Sequence, residues 1–320
     1  MIKLVKKRYF TAYDLQIGNT CNMHCKQCCM SDYINCGIEP DYLAFKTFIE
    51  SHPEIEEIYI GGGEALLTHE YDTLNLMQTF PEIRWKITTN LCYDLTQVRL
   101  AILSLASSVQ TSFDPKIRFS SVYELSKWYH NLKYLVKNIR KDIDINVCIT
   151  TELIKYNPLR LIRFFTMLSK LYGYHQLKYK YTLTTEVGRS IENNYLIPKK
   201  EELSKWLLEA LTYCDLNDNT YKLITDGYFY RCYFRKDLGT INYEGKLKNC
   251  PLRVNSDKDY CALDAECMEC ENYKYCGGKC VLMDCYFDKD VYMKACSVAY
   301  QKEYIKDLKY KKIKSLHRRY

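Results

Sequence analysis

Over residues 12–215 the chain alternates between two kinds of hydrophobic pattern. Short β-branched and aromatic runs are followed by longer stretches whose apolar residues recur three and four positions apart, the signatures of strands and amphipathic helices respectively. Strands are predicted at 13–17, 55–60, 84–89, 109–113, 143–150 and 177–183. Helices are predicted at 40–50, 70–80, 95–105, 122–139, 158–171 and 201–213.

Six strand–helix units with short connections predict an α/β fold with a parallel sheet covered by helices. Right-handed crossovers would curl that sheet into a partial (β/α)6 barrel. Ligands in such folds sit at the C-terminal ends of the strands. After residue 220 the alternation stops, and glycines, short loops and cysteines dominate up to Cys296. That segment is poor in aliphatic runs, so bound metal would have to hold it together. The expected organisation is a barrel over 1–215, a small cysteine-rich domain over 216–300 and a basic C-terminal helix over 301–320.

Composition narrows the functional classes. The 320 residues are 47% apolar, enough for a packed core. No stretch approaches the roughly 18 uninterrupted apolar residues of a membrane span, and the basic N-terminus lacks a signal peptide's apolar run. A cytoplasmic protein is expected. The net charge is +7, and the last twenty residues carry eight Lys/Arg against Glu303 and Asp307, or +6 of that total. The basic tail reads as a solvated helix end rather than a nucleic-acid contact.

Seventeen cysteines are the outlying figure. A reducing cytosol argues against a disulfide framework, which leaves metal or catalytic sulfur. Directly after the first strand, Cys21, Cys25 and Cys28 form a CxxxCxxC motif. Three thiolates on one short loop can hold three corners of a cubane iron–sulfur cluster and leave the fourth iron open for a small molecule. A structural zinc site takes four protein ligands, and no fourth is evident here. Cys29 is adjacent, but neighbouring side chains diverge.

With this motif the sequence resembles the radical S-adenosylmethionine (SAM) superfamily. Gly62-Gly63-Glu64 after the second strand matches that family's GGE motif, which the resemblance assigns to the methionine amino group of SAM. Thr88-Thr89-Asn90 stands at the family's strand-three Thr-Asn pair. Ser112-Phe113-Asp114 resembles its Ser-x-Asp near the ribose and carboxylate, and Val187-Gly188-Arg189 its Gly-Arg after strand six. Two departures stand out: Gln27 replaces the usual aromatic residue before the third cysteine, and Arg118 is the candidate for the basic residue expected after strand four. The resemblance therefore implies a SAM-binding [4Fe-4S] cluster, with Gly62, Gly63, Glu64, Asn90, Ser112, Asp114 and Arg118 as SAM contacts.

A second constellation lies toward the C-terminus. Cys232, Gly245 and Cys250 are followed by Cys267, Cys270, Cys276, Cys280 and Cys296, spaced as in the seven-cysteine SPASM domain. The competing reading is structural zinc held by CxxC pairs, as part of a nucleic-acid-binding module. The SPASM resemblance implies two auxiliary iron–sulfur clusters, one on Cys232, Cys250 and Cys280 and one on Cys267, Cys270, Cys276 and Cys296. A fourth ligand to the first could come from Cys214, Asp226, Cys261 or Cys285, or the iron could stay open.

The activity so implied is that of a radical SAM oxidoreductase acting on a ribosomally synthesised peptide, through a crosslink or related oxidation. Alternatives are dehydrogenation of a small alcohol or amino sugar, and oxidation of a protein Cys or Ser to formylglycine. Maturases of the last type resemble one another in an Asp after the cysteine equivalent to Cys250, where this chain has Pro251. The expected partners are a peptide, an electron donor such as flavodoxin or ferredoxin, and, because the motif begins at Cys21, a separate leader-binding protein. No general base can be singled out from the sequence.

Overall fold

The structure, a computed structural model, describes residues 11–213 except 33, 36, 115–116, 173–176 and 185–187, together with 239–241, 244 and 246–248. The strands are β1 (Ala12–Gly18), β2 (Glu57–Gly62), β3 (Arg84–Thr88), β4 (Ser108–Ser112), β5 (Asp142–Ile149), β6 (Leu177–Leu183), β7 (Gly239–Ile241) and β8 (Leu247–Lys248). The helices are α1 (Tyr42–Glu50), α2 (Glu70–Thr79), α3 (Gln97–Leu105), α4 (Val122–Tyr134), α5 (Thr151–Ile154), α6 (Pro158–Tyr172), α7 (Arg189–Glu192) and α8 (Lys200–Tyr213).

All strands join one sheet in the order β6-β5-β4-β3-β2-β1-β7-β8. Neighbours from β6 to β1 run parallel, as does β7 beside β1, and β8 closes the row antiparallel. The six expected strands and their helices are thus present. β7 and β8 add to them from a stretch in which the sequence shows no alternation, being three and two residues long.

Alternation along the strands sorts the two sheet faces. Tyr13, Leu15, Ile17, Ile58, Ile60, Trp85, Ile87, Val109, Ile143, Ile145, Val147 and Ile149 are buried and belong to one hydrophobic core with the helices. The other face is polar: Asp14, Gln16, Glu57, Tyr59, Lys86, Thr88, Gln110, Ser112, Asp144, Asn146 and Cys148 alternate with those core positions. A sheet polar on its inner face is built to surround a polar occupant or water, not a second apolar layer.

Side-chain caps set the helix starts. Asp41 accepts from the Ala44 N–H, Thr96 from Arg99, Ser121 from Glu124 and Thr150 from Leu153. The long helix expected to Ile139 leaves α geometry at Leu135 and finishes as a π turn, closed by Arg140 at φ 56°. Among the described residues, no helix is long and apolar enough to cross a membrane. The cysteines assigned to the auxiliary clusters, their candidate fourth ligands, Val187 and the basic tail lie outside the described residues.

Candidate metal centre at the C-terminal rim of the sheet

Because β1 to β6 are parallel, the segments following them share one rim. The loop carrying Cys21, Cys25 and Cys28 leaves β1 at Gly18, where β2 approaches very closely. The Gly63 N–H donates to the Gly18 carbonyl at 2.5 Å and the Glu64 N–H to the Thr20 carbonyl at 2.7 Å. Gly62 has φ +115°, and a Cβ there would stand 2.6 Å from the Gly18 oxygen. Only glycine meets both demands.

Each of the other strand ends then fastens to this loop or its neighbour. Glu64 has no exposed surface. Its carboxylate accepts from Thr89 Oγ1 at 2.8 Å, the Asn90 N–H at 2.6 Å and the Leu66 N–H at 3.3 Å, so it joins the end of β2 to the end of β3. Burial pushes its carboxyl up to about 7, against the pull of those donors. Glu64, which the resemblance assigns to the methionine amino group of SAM, thus also joins two strand ends of the frame.

Asn90 carries that frame to the cysteines. Its amide donates to Asn22 Oδ1 at 2.8 Å and lies 3.8 Å from Cys21 Sγ, while its oxygen accepts from the Cys92 N–H at 2.7 Å. The turn passes through Leu91 at φ 57°, a left-handed conformation uncommon for leucine. Asn131, buried on α4, holds it by donating to the carbonyls of Leu91 and Tyr93 at 3.0 and 2.8 Å. Nothing in the local sequence signals that residue.

Asp114, 1% exposed, is the corresponding junction beyond β4. Its oxygens accept from the Cys148 N–H at 2.6 Å, Gln27 Nε2 at 3.0 Å and Arg118 Nε at 2.9 Å. Arg118, the candidate basic residue, is thus seated beside the cysteine loop, and Gln27 has a defined partner. Ser112 is half-buried on the inner face of β4. Beyond β6, the Arg189 N–H donates to the Cys28 carbonyl and its guanidinium to the Cys25 carbonyl, at 3.1 and 3.3 Å.

Three thiols carried on one loop, Cys25 buried and Cys21 and Cys28 half-buried, are a donor set that suits an iron–sulfur cluster. Burial raises all three thiols, Cys21 to about 11, and the charges of Arg118 and Arg189 oppose that rise at Cys25 and Cys28. Buried oxygens without a described partner flank the cysteines: Thr20 Oγ1 before the first and Gln27 Oε1 before the third. Such atoms are what a bound group with N–H or O–H donors would satisfy.

The fold is that of radical SAM enzymes, as comparison with solved structures shows. Native anSMEcpe with bound AdoMet and a Cp18Cys peptide superposes with a TM-score of 0.63 at 14% identity, over 92% of this chain and 97% of that one. Streptococcus suis SuiB bound to its precursor peptide SuiA gives a TM-score of 0.54 at 15% identity, over 90% and 67%. The same protein bound to S-adenosylmethionine gives 0.57 at 14%, over 88% and 77%. No family profile and no curated protein sequence matches the chain.

Proposed function

We propose that this protein is a radical SAM enzyme that oxidatively modifies a ribosomally synthesised peptide. The observation that carries the reading is the three-cysteine loop on the rim of the sheet, braced by the ends of β2, β3, β4 and β6. When bound, a [4Fe-4S] cluster and SAM supply one-electron cleavage to methionine and a 5′-deoxyadenosyl radical that takes a substrate hydrogen. Cys21, Cys25 and Cys28 would hold the cluster. Gly62, Gly63, Glu64, Asn90, Ser112, Asp114 and Arg118 would offer the contacts to SAM, and Glu64, Asn90 and Asp114 also tie the rim segments together. The polar inner face of the sheet receives the substrate and keeps its target C–H oriented.

The peptide class is supported by the two neighbours above whose structures hold a peptide, anSMEcpe and SuiB. Formylglycine formation stays behind it because Pro251 follows Cys250. The auxiliary clusters on Cys232, Cys250 and Cys280, and on Cys267, Cys270, Cys276 and Cys296, belong to the proposal. So do the electron donor, a leader-binding protein and a cytoplasmic location.

Anaerobically reconstituted protein should be brown, with about twelve irons for three four-iron clusters. It should release 5′-deoxyadenosine from SAM under dithionite, and the triple variant C21A/C25A/C28A should not. A colourless, zinc-only protein would refute the enzyme. Candidate peptides should lose two hydrogens by mass spectrometry; reaction with small alcohols alone would refute the substrate class.

A further inference from the structure

Arg189 touches the cysteine loop three times from the far end of the sheet. Its backbone N–H donates to the Cys28 carbonyl at 3.1 Å and to Ser31 Oγ at 2.7 Å, and its guanidinium donates to the Cys25 carbonyl at 3.3 Å. Gly188 makes this approach possible. It has φ +62°, and a Cβ there would stand 2.5 Å from the Cys28 oxygen, so the two backbones meet with no room for a side chain.

Charge distinguishes Arg189 from a simple brace. A guanidinium stays protonated in proteins, so its charge on the loop is permanent. Arg118 is also close, but Asp114 answers its charge at 2.9 Å. The reduction potential of an iron–sulfur cluster follows its net charge, the hydrogen bonding around its ligands and its exposure. An electron entering from a low-potential one-electron donor adds negative charge to the site, and an adjacent fixed cation favours that state.

We propose that Arg189 is a positioning residue that sets the reduction potential of the cluster held by Cys21, Cys25 and Cys28, making it easier to reduce. The assignment rests on the cluster reading of the preceding subsection. Two carbonyls of the ligand loop are drawn to Arg189, and its charge is held there by the strap of residues 188–189.

The test is a dithionite redox titration of the reconstituted holoprotein, followed by electron paramagnetic resonance on the signal that changes when SAM is added. In R189Q the reduction equilibrium should move at least tenfold toward the oxidised form, about 59 mV for a one-electron couple. R189K keeps the charge and should stay within about threefold of wild type. S31A removes a hydrogen bond of the strap but no charge, and should titrate as wild type. The assignment is overturned by a SAM-responsive signal in R189Q at the wild-type potential. It is equally overturned if S31A or R189K shifts as far as R189Q, or if R189Q assembles no cluster, which would leave Arg189 a mechanical strap. Partial assembly does not obscure the result, since only assembled clusters give the signal. A wild-type protein with no SAM-responsive signal defeats the cluster reading itself, which is a different result from a signal present at an unmoved potential.

Discussion

Gln27, the residue before the third cysteine of the rim loop, donates its side-chain amide to Asp114 across 3.0 Å, although 87 residues separate them. The bond ties the cysteine loop to the end of β4. Asp114 is shared with Arg118 and the Cys148 N–H, so one carboxylate holds three segments of the rim together.

Q27E should loosen the cysteine loop. It sets a second carboxylate against Asp114 in a buried site, where like charges are poorly screened. Loss of an outer-shell partner of this kind lowers metal affinity by about 10- to 100-fold. Iron release to a chelator from reconstituted protein measures it, with Q27L, which removes the bond without adding charge, expected to lie between.

D114A should be more severe. It strands the guanidinium of Arg118, whose side chain is 17% exposed, and leaves the Cys148 N–H without its acceptor. Removing one partner of a buried ion pair costs about 3–5 kcal/mol. Urea unfolding should show that loss, and D114N, which keeps an acceptor in place, should recover part of it.

N131A tests the strained turn behind Asn90. Two buried carbonyls, of Leu91 and Tyr93, lose their donor, at roughly 1–3 kcal/mol for each unsatisfied group. The melting temperature should fall, and iron retention should fall with it, because Asn90 reaches Asn22 only from that turn.

Asp14 gives the protein an unusual pH slope. Burial on the inner face of β1 pushes its carboxyl up to about 7 from an ordinary 3.8, against the donor of Gln16. Between those values the unfolded chain has released the proton while the folded chain keeps it. Stability therefore falls as pH rises through that window and levels off above it. Glu64, also raised to about 7, acts in the same direction. D14N should lessen the loss of stability between about pH 5 and about pH 8 without abolishing it, as read from urea midpoints at constant iron loading.

Periodicity made β1 to β6 and their helices legible, because each strand keeps a buried residue at every second position over five to eight residues. β7 and β8 are too short for a period to appear. The π turn after α4 preserves the helical spacing of apolar residues, so only the backbone reveals it. The cysteine loop and the strand-end motifs were readable as residues, but their attachments were not. Glu64, Asn90 and Asp114 read as ligand contacts, and nothing in the sequence signals that their polar atoms also bond to Thr89, Asn22, Gln27 and Arg118. Pairs separated by tens of residues leave no local pattern. Arg189 meets Cys25 across 164 positions, and Asn131 meets Leu91 across 40.

The place of β1 in the sheet bears on how the protein is made. One edge of β1 pairs with β2, but the other is closed by Gly239–Ile241, so the strand that launches the cysteine loop is synthesised well before the segment that encloses it. At the pace of translation, on the order of 10 s or more separates the two events. During that interval the nascent chain carries an unpaired strand edge next to the three thiols of the loop. On the proposed function, iron delivered early would meet a half-bordered sheet, so cluster assembly and closure of this edge of β1 would be coupled in time.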